Sequence, residues 1–346
     1  MKCFATGHIE DDGIDIKSEM QVNDKIYVAG HQGTVGAALL RVLRAKGYHN
    51  LVTRTQAELD LTEQAATRAF FSRERPRHVF LAAAKRGGIQ SHSSERAEFI
   101  YQNLMIEANV IRAAYDNNAS TLIFIASTDV YPTLAPQPLK EGFLLSGSLD
   151  AHREPDAIAK IAGIKMCAAF NRQYATNFMS VVSAHYYGPG ESYDPSRSHV
   201  VPALIRRFHE AKLHQAREAV VWGSGDPLRE LIFSDDLADA CVMLMEHGHA
   251  NRIGDFINVG SGAEIAIKEL AQLIARVVGF EGRVVFDEGK PDGMLRRRLD
   301  VTRLSTMGWS AKTALADGIS QAYADFLQRD AGRDPVAESQ AACGVI

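Results

Sequence analysis

The chain has 346 residues, 46% of them hydrophobic and 23% charged, enough apolar content to bury a full core in one large domain or two smaller ones. A formal net charge of -4 excludes any broad electrostatic attraction to nucleic acid or anionic membrane. No apolar run reaches the roughly 18 residues of a membrane span, and Cys3, Cys167, Cys241 and Cys343 lack the paired spacing of a zinc site or disulfide framework.

Residues 1–24 show no sustained hydrophobic period and no signal-peptide core. The polar break Glu10-Asp11-Asp12-Gly13 reads as an N-terminal extension, with Met20 an alternative start. A cytoplasmic protein without a resident metal is expected. Lys25-Ile26-Tyr27-Val28-Ala29 reads as a buried strand, followed by a glycine turn and a helix over Ala37 to Lys46. Gly30, Gly33 and Gly36 have the spacing G-x-x-G-x-x-G. Glycine permits a tight turn and close backbone approach, and the helix N-terminus attracts a pyrophosphate, so Gly30, Gly33, Thr34, Val35 and Gly36 are candidate cofactor contacts.

Strand and helix then alternate. Strands are predicted near 50–54, 78–82 and 121–126, with helices over 62–73 and 97–117. Another helix runs to about Tyr174 and is followed by a strand at 179–183. This order implies a Rossmann-type α/β fold with a doubly wound parallel sheet. Asp60, after the second strand, is placed to meet the adenine end of a cofactor or else to belong to a helix cap at Thr62. Residues 25–185 form the expected dinucleotide-binding domain. Residues 186–330 form mainly a smaller mixed α/β substrate lobe, some of whose elements return to the first domain, and 331–346 form a tail. Helices near 201–211, 237–246 and 267–278 and strands near 220–222, 256–259 and 283–286 are predicted in the second part.

The chain resembles the GDP-L-fucose synthase family of the extended short-chain dehydrogenase/reductase superfamily. Stretches carrying the likeness include Ala29-Gly30-His31, residues 82–89, Phe99-Ile100-Tyr101-Gln102-Asn103, residues 157–163, residues 198–204, Val221-Trp222-Gly223-Ser224-Gly225 and Lys290-Pro291-Asp292-Gly293. The resemblance spans residues 25 to about 327. It implies a bifunctional enzyme that epimerises C3 and C5 of a GDP-4-keto-6-deoxyhexose and then reduces C4 with NADPH. By the same resemblance Ser127 hydrogen-bonds the sugar C4 oxygen, Lys160 holds the nicotinamide ribose and His199 is the epimerisation acid. Substrate contacts map to Arg207, Trp222, Arg229 and Asp292. A homodimer is implied, paired through the helices near 97–117 and 156–174.

Three departures bear on the chemistry. Asp156 stands where the family has its tyrosine, four residues before Lys160. Loss of general acid–base help is typically worth ~10²–10⁴ in rate, and an ordinary aspartate is ionised at neutral pH, more so beside an i+4 lysine, unless burial keeps it protonated. Asp129 stands where the family has its epimerisation cysteine; a carboxylate can also remove a proton alpha to a ketone. Gln32 and Gln56 replace arginines that neutralise an adenosine 2′-phosphate. Arg54 is a nearby substitute, which leaves NADP against NAD open. Ser183-Ala184-His185-Tyr186 also differs from the family's Pro-Thr-Asn-Leu at a cofactor wall, where His185 is a candidate contact. On sequence alone, epimerisation by Asp129 and His199 is better supported than reduction. The alternatives are a non-catalytic sugar-nucleotide and cofactor-binding protein, or a relative with a changed substrate.

Overall fold

The computed structural model describes residues 20–87, 89–194, 198–290 and 292–330. Cys3, His8, most of the 1–24 extension and the tail over 331–346 lie outside the described residues. The end of that extension is not loose. Met20 is buried in the main core, and Asp24 accepts from Arg77 at 3.3 Å and pairs with His78 Nε2 at 3.1 Å.

The first half alternates as the pattern demands: β1 (Ile26–Ala29), α1 (Thr34–Ala45), β2 (Leu51–Val52), α2 (Gln64–Glu74), β3 (His78–Leu81), α3 (Ile89–Ser94), α4 (Arg96–Asp116), β4 (Thr121–Ser127), α5 (Glu154–Tyr174) and β5 (Asn177–Ser183). Ile-Tyr-Val-Ala of β1 and His-Val-Phe-Leu of β3 are buried throughout, as strands of a parallel sheet covered on both faces must be. The helix α1 begins at Thr34, earlier than the periodicity predicted, because the glycine turn closes directly into its first turn.

The second half adds β6 (His185–Tyr187), α6 (Val200–Leu213), β7 (Glu218–Trp222), β8 (Leu228–Phe233), α7 (Ser234–His247), α8 (Ala250–Ile253), β9 (Ile257–Val259), β10 (Glu264–Ala266), α9 (Ile267–Val278), β11 (Arg283–Asp287), β12 (Arg296–Arg297), α10 (Thr302–Thr306) and α11 (Leu315–Asp330). The main sheet has the order β2-β1-β3-β4-β5-β9 with every pair parallel. Its order reverses at β1, and the crevice beyond the carboxyl ends of β1 and β3 is where such sheets bind ligands. β9 and α7 come from beyond residue 185 and pack into this first core, with Leu237, Cys241 and Ile257 fully buried.

A second core surrounds α6, α9 and α11, where Phe208, Leu270, Ile274 and Phe326 meet. Beside it β7 pairs with β11, and β8 is shared by β6, β10 and β12. The end of α11 reaches back to the glycine turn. Asp325 accepts from Gly190 N at 3.1 Å, Arg329 donates to the Glu191 carbonyl at 3.1 Å, and Thr34 Oγ1 donates to the Glu191 carboxylate at 2.8 Å.

Candidate active site

The glycine turn shows what each glycine does. Gly30 has φ +80°, and a Cβ there would stand 2.7 Å from the Ala83 backbone. A Cβ on Gly36 would lie 2.2 Å from the Gly30 carbonyl oxygen. The N-terminus of α1 has no side-chain cap, which leaves the first-turn amides of Thr34, Val35 and Gly36 directed outward. Opposite them stands Arg86, whose Nη1 lies 3.6 Å from the place a Gly33 side chain would take and whose guanidinium stacks over Tyr186 at 5.2 Å. Uncapped amides facing an arginine form a cradle that fits a diphosphate.

At the end of β2, Arg54 donates to Glu74 at 2.9 Å and lies over Phe70. Lys25 and Arg73 approach the same carboxylate, each at 3.5 Å. Three cations thus share one acid, a local positive excess of the sign a 2′-phosphate needs, while Gln32 and Gln56 are exposed beside it. Asp60 Oδ1 accepts from Thr62 N at 2.9 Å and Thr62 Oγ1 at 2.8 Å. The side chain expected at the adenine end is therefore committed to the turn before α2.

The strand β4 ends at Ser127, and a single 3-10 turn over Thr128–Val130 follows, in which Ser127 Oγ donates to Asp129 Oδ2 at 3.3 Å. Asp129 is buried. Its Oδ1 accepts from Arg297 Nη1, and its Oδ2 from Arg153 Nη1 at 3.4 Å. Burial alone would raise its carboxyl, but Arg153 and Arg297, helped by His185, outweigh burial and hold it well below the usual carboxylate range. A carboxylate with so little proton affinity and both oxygens engaged is a poor proton acceptor, which weighs against the expected role of Asp129 as the epimerisation base.

Beside this clamp, α4 and α5 face each other through two polar rungs. Asn103 Nδ2 donates to Asp156 Oδ1 at 2.7 Å, and Lys160 Nζ donates to Glu107 Oε1 at 2.9 Å. The expected i+4 attraction between Lys160 and Asp156 does not become an ion pair, because the ammonium turns to Glu107 instead. Burial pushes the Asp156 carboxyl above its ordinary value; Lys160 opposes this and the nearby Asp129 charge adds to it. Burial likewise pushes Glu107 up to about 7 against the pull of Lys160.

His199 caps α6 at the cleft mouth. The residue is exposed, yet the protein packed around it lowers its proton affinity; Glu191 opposes this, and Arg153 and Arg86 reinforce it. That pressure favours the neutral imidazole over the imidazolium. Burial drives His185 down to about 3, so it is a neutral wall beside Asp129.

The substrate lobe carries the remaining candidates. Trp222 is exposed, with Arg207 at 5.9 Å and Lys290 at 5.5 Å over its ring. Arg207 also donates to the Val220 carbonyl. Arg229 donates to the Leu228 and Met294 carbonyls at 2.8 and 2.6 Å, and Asp292 accepts from Ser224 N at 2.7 Å and Ser224 Oγ at 2.9 Å. Sequence reasoning missed Arg86, Asn103, Glu107, Arg153 and Arg297. A usable signal existed for two of them: Asn103 and Glu107 stand four apart, as Asp156 and Lys160 do, and each contact spans the same 53 residues.

The family model described as "NAD dependent epimerase/dehydratase family" matches residues 26–260. GDP-L-fucose synthase 1 of Arabidopsis thaliana is 47% identical over 93% of this chain and 98% of its own length. GDP-L-fucose synthase of Escherichia coli (strain K12) is 48% identical over 88% of this chain and 97% of its own length. The chain belongs to the GDP-L-fucose synthase family. A solved structure of similar shape is a GDP-mannoheptose C4 reductase from Campylobacter jejuni with NADP bound. It is 39% identical with a TM-score of 0.83, covering 89% of this chain and 99% of that one. In this chain Asp129 and Asp156 stand near enough to act on one another, under opposite electrostatic pressures: arginines hold the first low and burial raises the second.

Proposed function

We propose that the chain is an NADP-dependent enzyme acting on a GDP-linked 4-keto-hexose, and that its geometry supports C4 reduction better than C3/C5 epimerisation. The observation that carries this reading is the commitment of Asp129 to Arg153 and Arg297, set against the protonation favoured at Asp156. Arg86 and the first-turn amides of Thr34, Val35 and Gly36 hold the diphosphate, with Gly30 and Gly33 giving it room. The cations around Glu74 supply the charge for a 2′-phosphate. Lys160 spends one N–H on Glu107 and keeps two donors for the nicotinamide ribose, beside the His185 wall.

NADPH, when bound, supplies the hydride to C4. Ser127 turns its one O–H from the 3.3 Å contact with Asp129 to donate to the C4 oxygen. Asp156, in the place of the family tyrosine, gives that oxygen its proton and is reprotonated from solvent. Trp222 offers a flat face flanked by Arg207 and Lys290 for the GDP moiety, with Arg229 and the Asp292-braced turn behind it. We also infer a homodimer through α4 and α5, on which Tyr101 and Ile158 remain exposed.

The test is proton NMR of GDP-4-keto-6-deoxymannose with the protein and NADPH in deuterated water. Reduction at C4 without deuterium at C3 or C5 is expected. Deuterium at C3 and C5 without reduction would overturn the preference for reduction. Neither event, in a folded sample, would favour a binding role or another sugar.

A further inference from the structure

Three carboxylates and three cations lie around the catalytic cleft, and their pairing is uneven. Asp129 takes two guanidiniums, Glu107 takes the single ammonium of Lys160, and Asp156 takes, among the described residues, only the neutral amide of Asn103. The orientation of that amide is fixed, because Asn103 Oδ1 accepts from the Lys85 backbone N–H at 2.7 Å and so turns its NH2 toward Asp156. We propose that Glu107 is a positioning residue that draws the Lys160 ammonium away from Asp156, leaving Asp156 to keep a proton as the neutral carboxyl donor.

The local packing is built for that arrangement. Glu107 is 2% exposed, and Lys160 lies over the Phe124 ring at 5.2 Å, so neither can exchange its partner for water. A Cβ on Gly163, one turn beyond Lys160, would lie 2.7 Å from Glu107 Oε2 and 2.6 Å from Phe124, so the glycine makes the space in which Glu107 meets Lys160. A lone ammonium satisfies one carboxylate in a dry niche; the second is most cheaply accommodated with a proton. The 2.9 Å contact gives the ammonium to Glu107 and leaves Asp156 facing a neutral amide. The other groups facing Asp156 are Arg153 before α5, Asp129 after β4 and Tyr186 on β6, and all remain in place when Glu107 is changed.

The proposal deepens the reading of Asp156 as proton donor and rests on it only for its catalytic consequence. Its test is carbon NMR of protein labelled at aspartate carboxyls, without cofactor or sugar, with the Asp156 signal assigned by its loss in Asp156→Asn. In the natural chain Asp156 should titrate above ordinary aspartates. In Glu107→Gln the ammonium is released to Asp156, and the midpoint should fall by about 1–3 units, the usual effect of an opposite charge at close range. The acid-dependent limb of C4 reduction should move with it. An unchanged midpoint in folded Glu107→Gln would overturn the proposal. Should that variant not fold, Lys160→Met decides: a midpoint shifted upward by more than about 1 unit would mean Lys160 serves Asp156 directly, and a smaller shift supports its commitment to Glu107. A titration that behaves as expected in a protein that reduces no 4-keto sugar would leave this charge assignment standing and remove only the activity.

Discussion

Two arginines from distant parts of the chain converge on Asp129, and both of its oxygens are engaged. Arg297 is itself buried, and among the described residues its Nη2 has no partner. Asp129→Asn keeps the shape and removes the charge that compensates it. Breaking one side of a buried ion pair costs about 3–5 kcal/mol, and urea denaturation should show a loss of that order. A loss below about 1 kcal/mol would mean that the cations are satisfied elsewhere. None of this was legible at residue 129: a carboxylate after a Ser-Thr pair reads as a base before it reads as a turn residue, and the arginine that clamps it is 168 positions away.

At the scale of elements, the β1–turn–α1 unit was readable because three local signals coincide there: an apolar run, glycines at fixed spacing and a helical stripe. The turn is also unforgiving. Gly36→Ala places a methyl group inside the Gly30 carbonyl, which the turn can relieve only by opening. Overpacking of this kind costs about 1–3 kcal/mol, and displaced amides should weaken NADPH binding by roughly tenfold or more, measurable by calorimetric titration. Unaltered affinity would show that the amides of this turn are not the diphosphate cradle. By contrast β8 was missed because its sequence, Leu-Arg-Glu-Leu-Ile-Phe, points a charge inward: Glu230 is 2% exposed and accepts from Gly262 N and Leu299 N. Asn103 and Glu107 blur the apolar stripe of α4 in the same way. An inward polar group spoils the periodicity that reveals an element and often marks what the element is for.

For the whole molecule, the buried acids give stability a pH dependence with a definite sign. Burial raises Glu107 to about 7 and raises Asp156, so the folded protein binds these protons more tightly than the unfolded chain. Their contribution is complete below the unfolded values near 4 and is lost as pH rises through the folded ones. Asp129 acts oppositely: its contribution is present above its unfolded value and lost in strong acid. The thermal midpoint should therefore be highest in mild acid, about pH 5, and decline toward neutrality, with Glu107→Gln flattening the decline. A midpoint that climbs from pH 5 to 7 in scanning calorimetry would contradict these assignments.

The parallel sheet and a strand near 256–259 were legible along the chain, but the pairing of that strand as β9 beside β5 and the contacts of α11 were not, since nothing local says that residues made late belong to a site begun early. That return of the C-terminal helix to the glycine turn has a consequence for biosynthesis. Chains emerge N-terminus first at about 5–20 residues per second, so the cofactor turn is translated early and waits through most of synthesis. Only when Asp325 and Arg329 have left the ribosome can they brace Gly190 and Glu191 against Thr34. The nascent chain therefore braces its glycine turn only after α11 has emerged, long after the turn itself has been translated.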